Sequence, residues 1–563
     1  MIMEAVLHKT RNLSLSGGSV LFAVLAVLLF VFPLIRLILL SLTAEDGSLS
    51  AAQYEALLQD PRAGAAIFNT IYISVSAALL SALCGTVTAF LTVYTNIRYK
   101  TLIEGLVFLP FVIPAYVMTI SWTGLTAAGG ALTQLLQAAG LPPLDLYTRG
   151  GIIAMLGICH MSVVHVTVSH RLKKISEEVD WAARVSGCPP WKTIRRVDLP
   201  MAAPAIASGT VLAFLADVDN FAVPAFLGIS SNIPVLSTYI YEKVISFGPD
   251  SFAYGAVLSV VLSVIALTGT LLAARLGGRR DGGEGGRAHS EARIVFSPAV
   301  RFVVEHLTAG ALIFFSVVPF FYMAISALLK TFNFSLRPED MTLDNYRFVF
   351  TNDGIREAAL NSLFLAGMGT IACLVLGTIA AYGIVRRGSR AAAFLEGCAS
   401  MTYSVPGIVL ALALIFYWSQ PVPGMTTGLY GSYTILILGY ASRYMIVQIK
   451  NSASAMVSMS AAAEDAALVS GSSFLRMWVK IIIPQLAAPA LAGSFFIFLS
   501  AFTELTMSSV MSSASTKTIG LAIFNLQQAG DYSLAAAVSS VILAVMLLCC
   551  AVRLVYKKAR RSV

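Results

Sequence analysis

Apolar residues in this chain fall in long unbroken runs, not in alternation. Twelve runs of about 20 residues begin near Gly18, Ile67, Leu102, Gly151, Ile206, Phe252, Ala299, Ala359, Ala392, Ser432, Pro489 and Tyr532. A membrane barrel would need period-two alternation, which these runs lack. A helix satisfies its own backbone hydrogen bonds in lipid, so each run predicts a spanning helix. The polar stretches are short except at Thr43–Gly64, Lys330–Ala358 and Arg275–Arg293. The first two carry scattered acids and read as outer loops open to a soluble partner or to solvent. The third, with its run of Gly and charge, reads as a flexible linker. The pattern predicts an all-α membrane protein of about 12 transmembrane helices, with a first domain at 1–274, a linker at 275–298 and a second domain at 299–563.

The two domains repeat one another. Asn69, Gly85, Glu104 and Pro114 match Asn361, Gly377, Glu396 and Pro406 at an offset of 292. Further on, D-W-A-A-R-V-S-G at Asp180–Gly187 matches D-A-A-L-V-S-G at Asp465–Gly471, at an offset of 284. A proline, Pro200 or Pro484, stands 13 positions after each glycine. The eight extra residues of the first half are assigned to the loop Ala127–Arg149. Six spans per half is an even number, so the repeats are parallel, an arrangement from which transporters build a central path.

Composition narrows the class. The chain is 57% hydrophobic and only 12% charged, against about a quarter charged in soluble domains. Lys and Arg concentrate on the side of the amino terminus while the acids divide evenly, which places both termini in the cytoplasm. Net charge is +9, and membrane orientation and lipid headgroups account for it without nucleic acid. The first run is too long for a cleaved signal and reads as a retained span. The seven cysteines, Cys84, Cys159, Cys188, Cys373, Cys398, Cys549 and Cys550, form no CxxC pair and read as small reduced residues, most of them within spans.

Each signature predicts a short helix, a turn and a second short helix between spans four and five of its half. Ala182, Ala183 and Gly187, like Ala466, Ala467 and Gly471, are small where a sharp turn or a close helix contact needs them. Pro200 and Pro484 suit the start of the next element. At these residues the chain resembles the membrane permeases of ATP-binding-cassette importers. Their E-A-A-x-x-x-G-x(9)-I-x-L-P loop forms a coupling helix that docks into an ATPase. The resemblance implies an EAA-type coupling helix in each half, carried by Asp180, Trp181, Ala182, Ala183, Gly187 and Pro200, and by Asp465, Ala466, Ala467, Gly471 and Pro484. Trp181 departs from the acid of the pattern and is expected to act as an aromatic anchor in the ATPase groove. The fused layout, with D-V-D-N-F-A-V-P at Asp217–Pro224 and Y-S-V-P-G-I-V-L-A-L-A at Tyr403–Ala413, looks most like ferric-iron permeases. Related members carry thiamine, polyamines, aminoethylphosphonate, sulfate or sugar phosphates.

The chain has no G-x-x-x-x-G-K-[ST] loop, so ATP and Mg are expected on a separate ATPase, in two copies, and no cofactor on this chain. A substrate-binding protein on the outer side of the bacterial inner membrane completes the expected assembly. Charges inside spans are costly and mark paths. Counting places Arg36, Asp217, Asp219 and Glu504 there. Asn220 and Thr503 match Glu504 and Asp219 by repeat. These five residues, Asp217, Asp219, Asn220, Thr503 and Glu504, are candidates for a polar translocation path, and the scarcity of Lys and Arg in the spans favours a cationic or neutral passenger. His160, His165 and His170 are spaced by five residues and do not share a helix face, so no metal site is expected from them. A proton-coupled carrier using Asp219 and Glu504 is the alternative class, but it leaves the paired signature unexplained. A membrane-embedded hydrolase would need a nucleophile and base in reach, and the sequence shows no such constellation.

Overall fold

The apolar runs form helices in a computed structural model, which describes residues 17–43, 48–246, 251–277, 293–330, 340–421 and 427–561. Most of the linker, residues 278–292, lies outside these, as do 44–47 and 331–339 of the two other long polar stretches and the side chains of Glu177 and Asp180. Among the described residues there are isolated bridges but no strand, and nine helices are long and apolar enough to cross a membrane.

Two further candidate spans are bent pairs of helices. The run predicted from Leu102 folds as Lys100–Val112 and Ala115–Ala138, bent by 101°, and the run from Ala392 as Arg390–Tyr403 and Gly407–Trp418, bent by 118°. Both breaks fall at the repeat-matched prolines, Pro114 and Pro406. Proline forces the preceding residue out of helical geometry, and Ile113 is extended (ψ 136°). Beyond each break the helix is buried along almost its whole length, Tyr116–Leu125 and Gly407–Phe416.

The remaining predicted run, from Ser432, is the helix Tyr433–Ser458. It is long enough to cross but is not among the apolar spans. Arg443 sits in its middle, donating to the Val405 carbonyl at 2.7 Å and lying 5.7 Å from the centre of the Tyr403 ring. The expectation that Arg36 is the lone basic residue deep in the spans is therefore corrected. Flanking apolar residues hid Arg443, and the break at Pro406 supplies the carbonyl that accepts from it.

Contacts divide the chain into two compact units that interleave in sequence. One comprises residues 1–51 and 357–519, the other 52–356 and 520–563. In the first, Phe22, Leu29 and Phe30 of the opening span pack with Cys373, Leu395, Met445 and Ile497. In the second, Leu312 of the span Pro298–Ser326 packs with Ile103, Val107 and Met161.

Within each unit the spans approach at repeat-matched glycines. A Cβ on Gly85 would stand 2.6 Å from the Met161 carbonyl oxygen and 2.9 Å from the His165 nitrogen, on the helix Arg149–Leu172. Its counterpart Gly377 faces Gln448 of Tyr433–Ser458, with Cβ 3.0 Å away. Repeat-matched polar residues tie span two of each half to the stretch just before the helix Leu236–Ile245 or Ile519–Gln528. Asn69 donates to the Pro234 carbonyl at 2.9 Å, and Asn361 to those of Ser515 and Lys517 at 3.1 Å.

Candidate functional site

The two signatures fold alike. Each is a short helix, Glu177–Val185 or Ala462–Val469, closed by a glycine in the left-handed region, Gly187 at φ 81° and Gly471 at φ 77°. The Cys188 amide donates to the Ala183 carbonyl at 3.0 Å, and the Ser472 amide to Ala467 at 2.9 Å. The glycine amides donate to Arg184 at 2.9 Å and Leu468 at 3.0 Å. These bonds satisfy carbonyls that the helix end would leave open, and the turn needs a residue that tolerates positive φ. A Cβ on either glycine would meet nothing within 4 Å. The sharp turn is thus the reason for the glycines, not close helix contact.

After the turn the chain enters one continuous helical run rather than a separate short helix. Pro190–Asp219 and Phe474–Phe502 each contain a wide π turn, Ile194–Asp198 and Trp478–Ile482, at the repeat offset. The amide just before each proline, of Leu199 or Ile483, closes that turn by donating to Ile194 or Trp478. Pro200 and Pro484 lack the next donor and crowd the carbonyl below, so a widened turn absorbs them inside a helix.

Each signature helix exposes apolar side chains. Trp181 is 66% exposed and Val185 87%; Leu468 is 51% exposed and Val469 90%. Ala182, Asp465 and Ala466 are also exposed, and Ala183 and Ala467 half-buried. Each helix thus sets bulky exposed apolar residues beside small ones. The second is also braced from within. Arg386, just past the helix Asp353–Val385, donates to the Glu464 carboxylate at 2.8 Å and to the Met459 carbonyl at 3.0 Å. Neither Arg386 nor Glu464 belongs to the expected set, although Glu464 is the repeat counterpart of Asp180.

The path candidates lie where span five ends and the chain turns. Asp219 is the last residue of the helix Leu199–Asp219, and Asn220 and Thr503 are the caps of the two fifth spans. Asn220 accepts the Val223 amide at 3.0 Å, starting the helix Ala222–Leu227. Glu504 accepts the Met507 amide at 2.6 Å and the Ser508 amide at 2.9 Å, starting Ser508–Met511. The repeat-matched pair therefore shares a capping role. Thr503 bonds back to the Leu499 carbonyl at 3.0 Å. Asp217 is buried against His160, with Nδ1 and Oδ1 at 2.6 Å. His165 bonds Thr88 at 2.9 Å, and His170 is exposed. Among the described residues no three His, Cys, Asp or Glu side chains group as a metal site.

The cap predicts how Glu504 responds to change. Glu504→Gln keeps its shape but leaves one acceptor oxygen for two amides, and Glu504→Leu leaves none. Losing a cap costs about 0.5–2 kcal/mol. The thermal midpoint of the purified chain should fall in the order wild type, Gln, Leu. An unchanged midpoint with lost uptake would instead make the carboxylate a path residue.

Comparison with known proteins agrees with this doubled architecture. The model of the family described as "Binding-protein-dependent transport system inner membrane component" matches residues 77–281 and 373–563, one match per half. The ferric transport system permease protein FbpB of Actinobacillus pleuropneumoniae is 22% identical over 94% of this chain and 76% of its own. The sulfate transport system permease protein CysT of Escherichia coli is 26% identical over 43% of this chain and 86% of its own. A crystal structure of a bacterial alginate ABC transporter, in complex with an alginate-bound periplasmic protein, covers 41% of this chain and 83% of that chain at 19% identity and a TM-score of 0.37. With the family model matched twice and up to eleven candidate spans among the described residues, this chain belongs to the inner membrane components of binding-protein-dependent transport systems, and is a multi-pass ABC importer permease with two permease domains in one polypeptide.

Proposed function

We propose that this permease imports ferric iron, handed over by a substrate-binding protein on the outer side and released to the cytoplasm by ATP-driven alternating access. The observation that carries the ferric reading is extent. The ferric permease relative aligns along 94% of the chain, both halves included, whereas the sulfate permease aligns with 43%. Two copies of an ATPase dock, one at each signature helix, with both termini on the same cytoplasmic side. Trp181, Val185, Leu468 and Val469 offer the apolar contact, and the glycine turns hold the helices in the docking pose. The ATP and its Mg belong to the partner. Asp219 and Thr503, at the ends of the two fifth spans, are the path residues of this reading.

One feature favours a second passenger. Arg443, half-buried in the middle of Tyr433–Ser458, is a fixed positive charge suited to an oxyanion. Uptake by cells with and without the gene decides between the two, using labelled ferric iron, sulfate and a phosphonate. Loss of ferric uptake alone supports the first reading, and loss of an oxyanion alone overturns it. Purification should yield one permease chain with two ATPase subunits, and no ATP turnover by the chain by itself. Turnover by the isolated chain would remove the assignment.

A further inference from the structure

We infer that Arg293, at the end of the linker, is the positioning residue of the first signature helix, and that the linker does in the first half what the second span does in the second. The inference rests on the coupling reading of these helices. Its evidence is a substitution of parts between the repeats.

In the second half Arg386 donates to the Met459 carbonyl, which stands before the signature helix, and to Glu464 on it. At the offset of 284 the counterpart of Met459 is Ile175; at the offset of 292 the counterpart of Arg386 is Tyr94. The first half therefore has no arginine at that place. Arg293 supplies one. Its Nη2 donates to the Ile175 carbonyl at 2.6 Å, and its Nη1 to Asp198 at 2.8 Å. Its guanidinium carbon lies 4.3 Å from the centre of the Tyr94 ring, whose hydroxyl donates to the same Asp198 oxygen at 3.1 Å. The pair is enclosed, with side chains 2% and 1% exposed.

Arg293 thereby holds both ends of the element. Ile175 precedes the signature helix, and Asp198 is the last residue of the π turn beyond it. The carbonyl of Arg293 also accepts from the Arg184 guanidinium in the last turn of that helix. The linker end is in turn fastened to the end of span two. The Ile294 amide donates to the Tyr94 carbonyl at 2.9 Å, and the Phe296 amide to Asn96 at 3.0 Å. A planar fork of donors suits a residue that must bridge a carboxylate and a carbonyl at once.

Arg293→Ala takes the guanidinium from the buried Asp198 carboxylate, so a compensating variant is needed to separate position from folding. Tyr94→Arg places an arginine where Arg386 stands in the other half. The full-length chain is studied alone by amide exchange and with its ATPase in liposomes by uptake. In Arg293→Ala, exchange at residues 176–188 should quicken roughly tenfold, the scale of one lost charge-assisted hydrogen bond, with residues 462–472 unchanged. Uptake should fall about fivefold or more, while the ATPase still co-purifies through the second helix. Arg293→Ala with Tyr94→Arg should recover at least half of both losses. Unchanged exchange in Arg293→Ala overturns the inference. So does loss of the folded chain that Tyr94→Arg does not restore, which would make Arg293 a residue of the core alone. If the wild-type chain shows no ATP-dependent uptake, the coupling reading fails, and the exchange measurement still decides the clamp.

Discussion

Gly471→Val is expected to lower ATP-dependent uptake about fivefold or more while leaving the membrane-embedded helices folded. Gly471 closes its helix at φ 77°, where a side chain crowds its own backbone. A β-branched residue fares worst there, and the strain is about 1–3 kcal/mol. Nothing lies within 4 Å of the new Cβ, so the cost stays in the turn and does not spread to the core. If the turn sets the docking pose, a coupling free energy of that size is roughly 5- to 150-fold in function. The series Asn, Ala, Val should show increasing loss, because Asn tolerates this conformation best. Asp beside Asn then isolates the effect of charge on the exposed surface. Gly187, at φ 81°, should follow the same order. Uptake per assembled complex is the measurement, with ATPase co-purification followed alongside. Wild-type uptake by both valine variants would sink the assignment of these turns.

The second large effect is on folding. Gly85→Leu should leave little folded protein in the membrane, and Gly85→Ala should cost more than Gly377→Ala. The Cβ built on Gly85 lies 2.6 Å from a backbone oxygen, so span two must move away from Arg149–Leu172 to admit it. At Gly377 the contacts are looser, with Gln448 Cβ and Cγ at 3.0 and 3.1 Å and the Ile449 nitrogen at 3.3 Å, so a shift of a few tenths of an ångström admits the methyl. Overpacking a tight contact costs about 1–3 kcal/mol or more. Thermal unfolding of the purified alanine variants measures the difference. Equal midpoints for the two alanines would contradict the close approach at Gly85.

The spans and the doubled signature were legible because both are local patterns. Lipid demands about 20 apolar residues at a stretch, and the repeat offset carries from residue to residue. The glycine turns follow from the same local reasoning, since only backbone geometry explains them. What escaped was tertiary. Pro114 and Pro406 stand out as a matched pair, but their bends of more than 100° depend on the buried helix that follows each. Arg443 is concealed by its neighbours' hydropathy, and its meaning comes from a carbonyl 38 residues away. Asn220 and Glu504 read as charge or polarity within a span, whereas three-dimensional structure shows them at helix starts, where amides seek acceptors. The interleaving of the two units is invisible to periodicity altogether.

That interleaving sets a problem for biosynthesis. The opening span Ser19–Ser41 belongs to a unit whose other part is residues 357–519, so residues 42–356 leave the ribosome before its packing partners exist. At the usual pace of translation this is a wait of roughly 15–60 s. During it the span must be at home in lipid on its own, before helices associate. It carries the highest mean hydropathy of the nine apolar spans, as such an orphan requires. The arginine-bearing Tyr433–Ser458, by contrast, is made when the opening span and the broken span at Pro406 are already present to receive it. Order of synthesis thus allows polarity late in the chain that an insertion machinery would be slow to accept at its beginning.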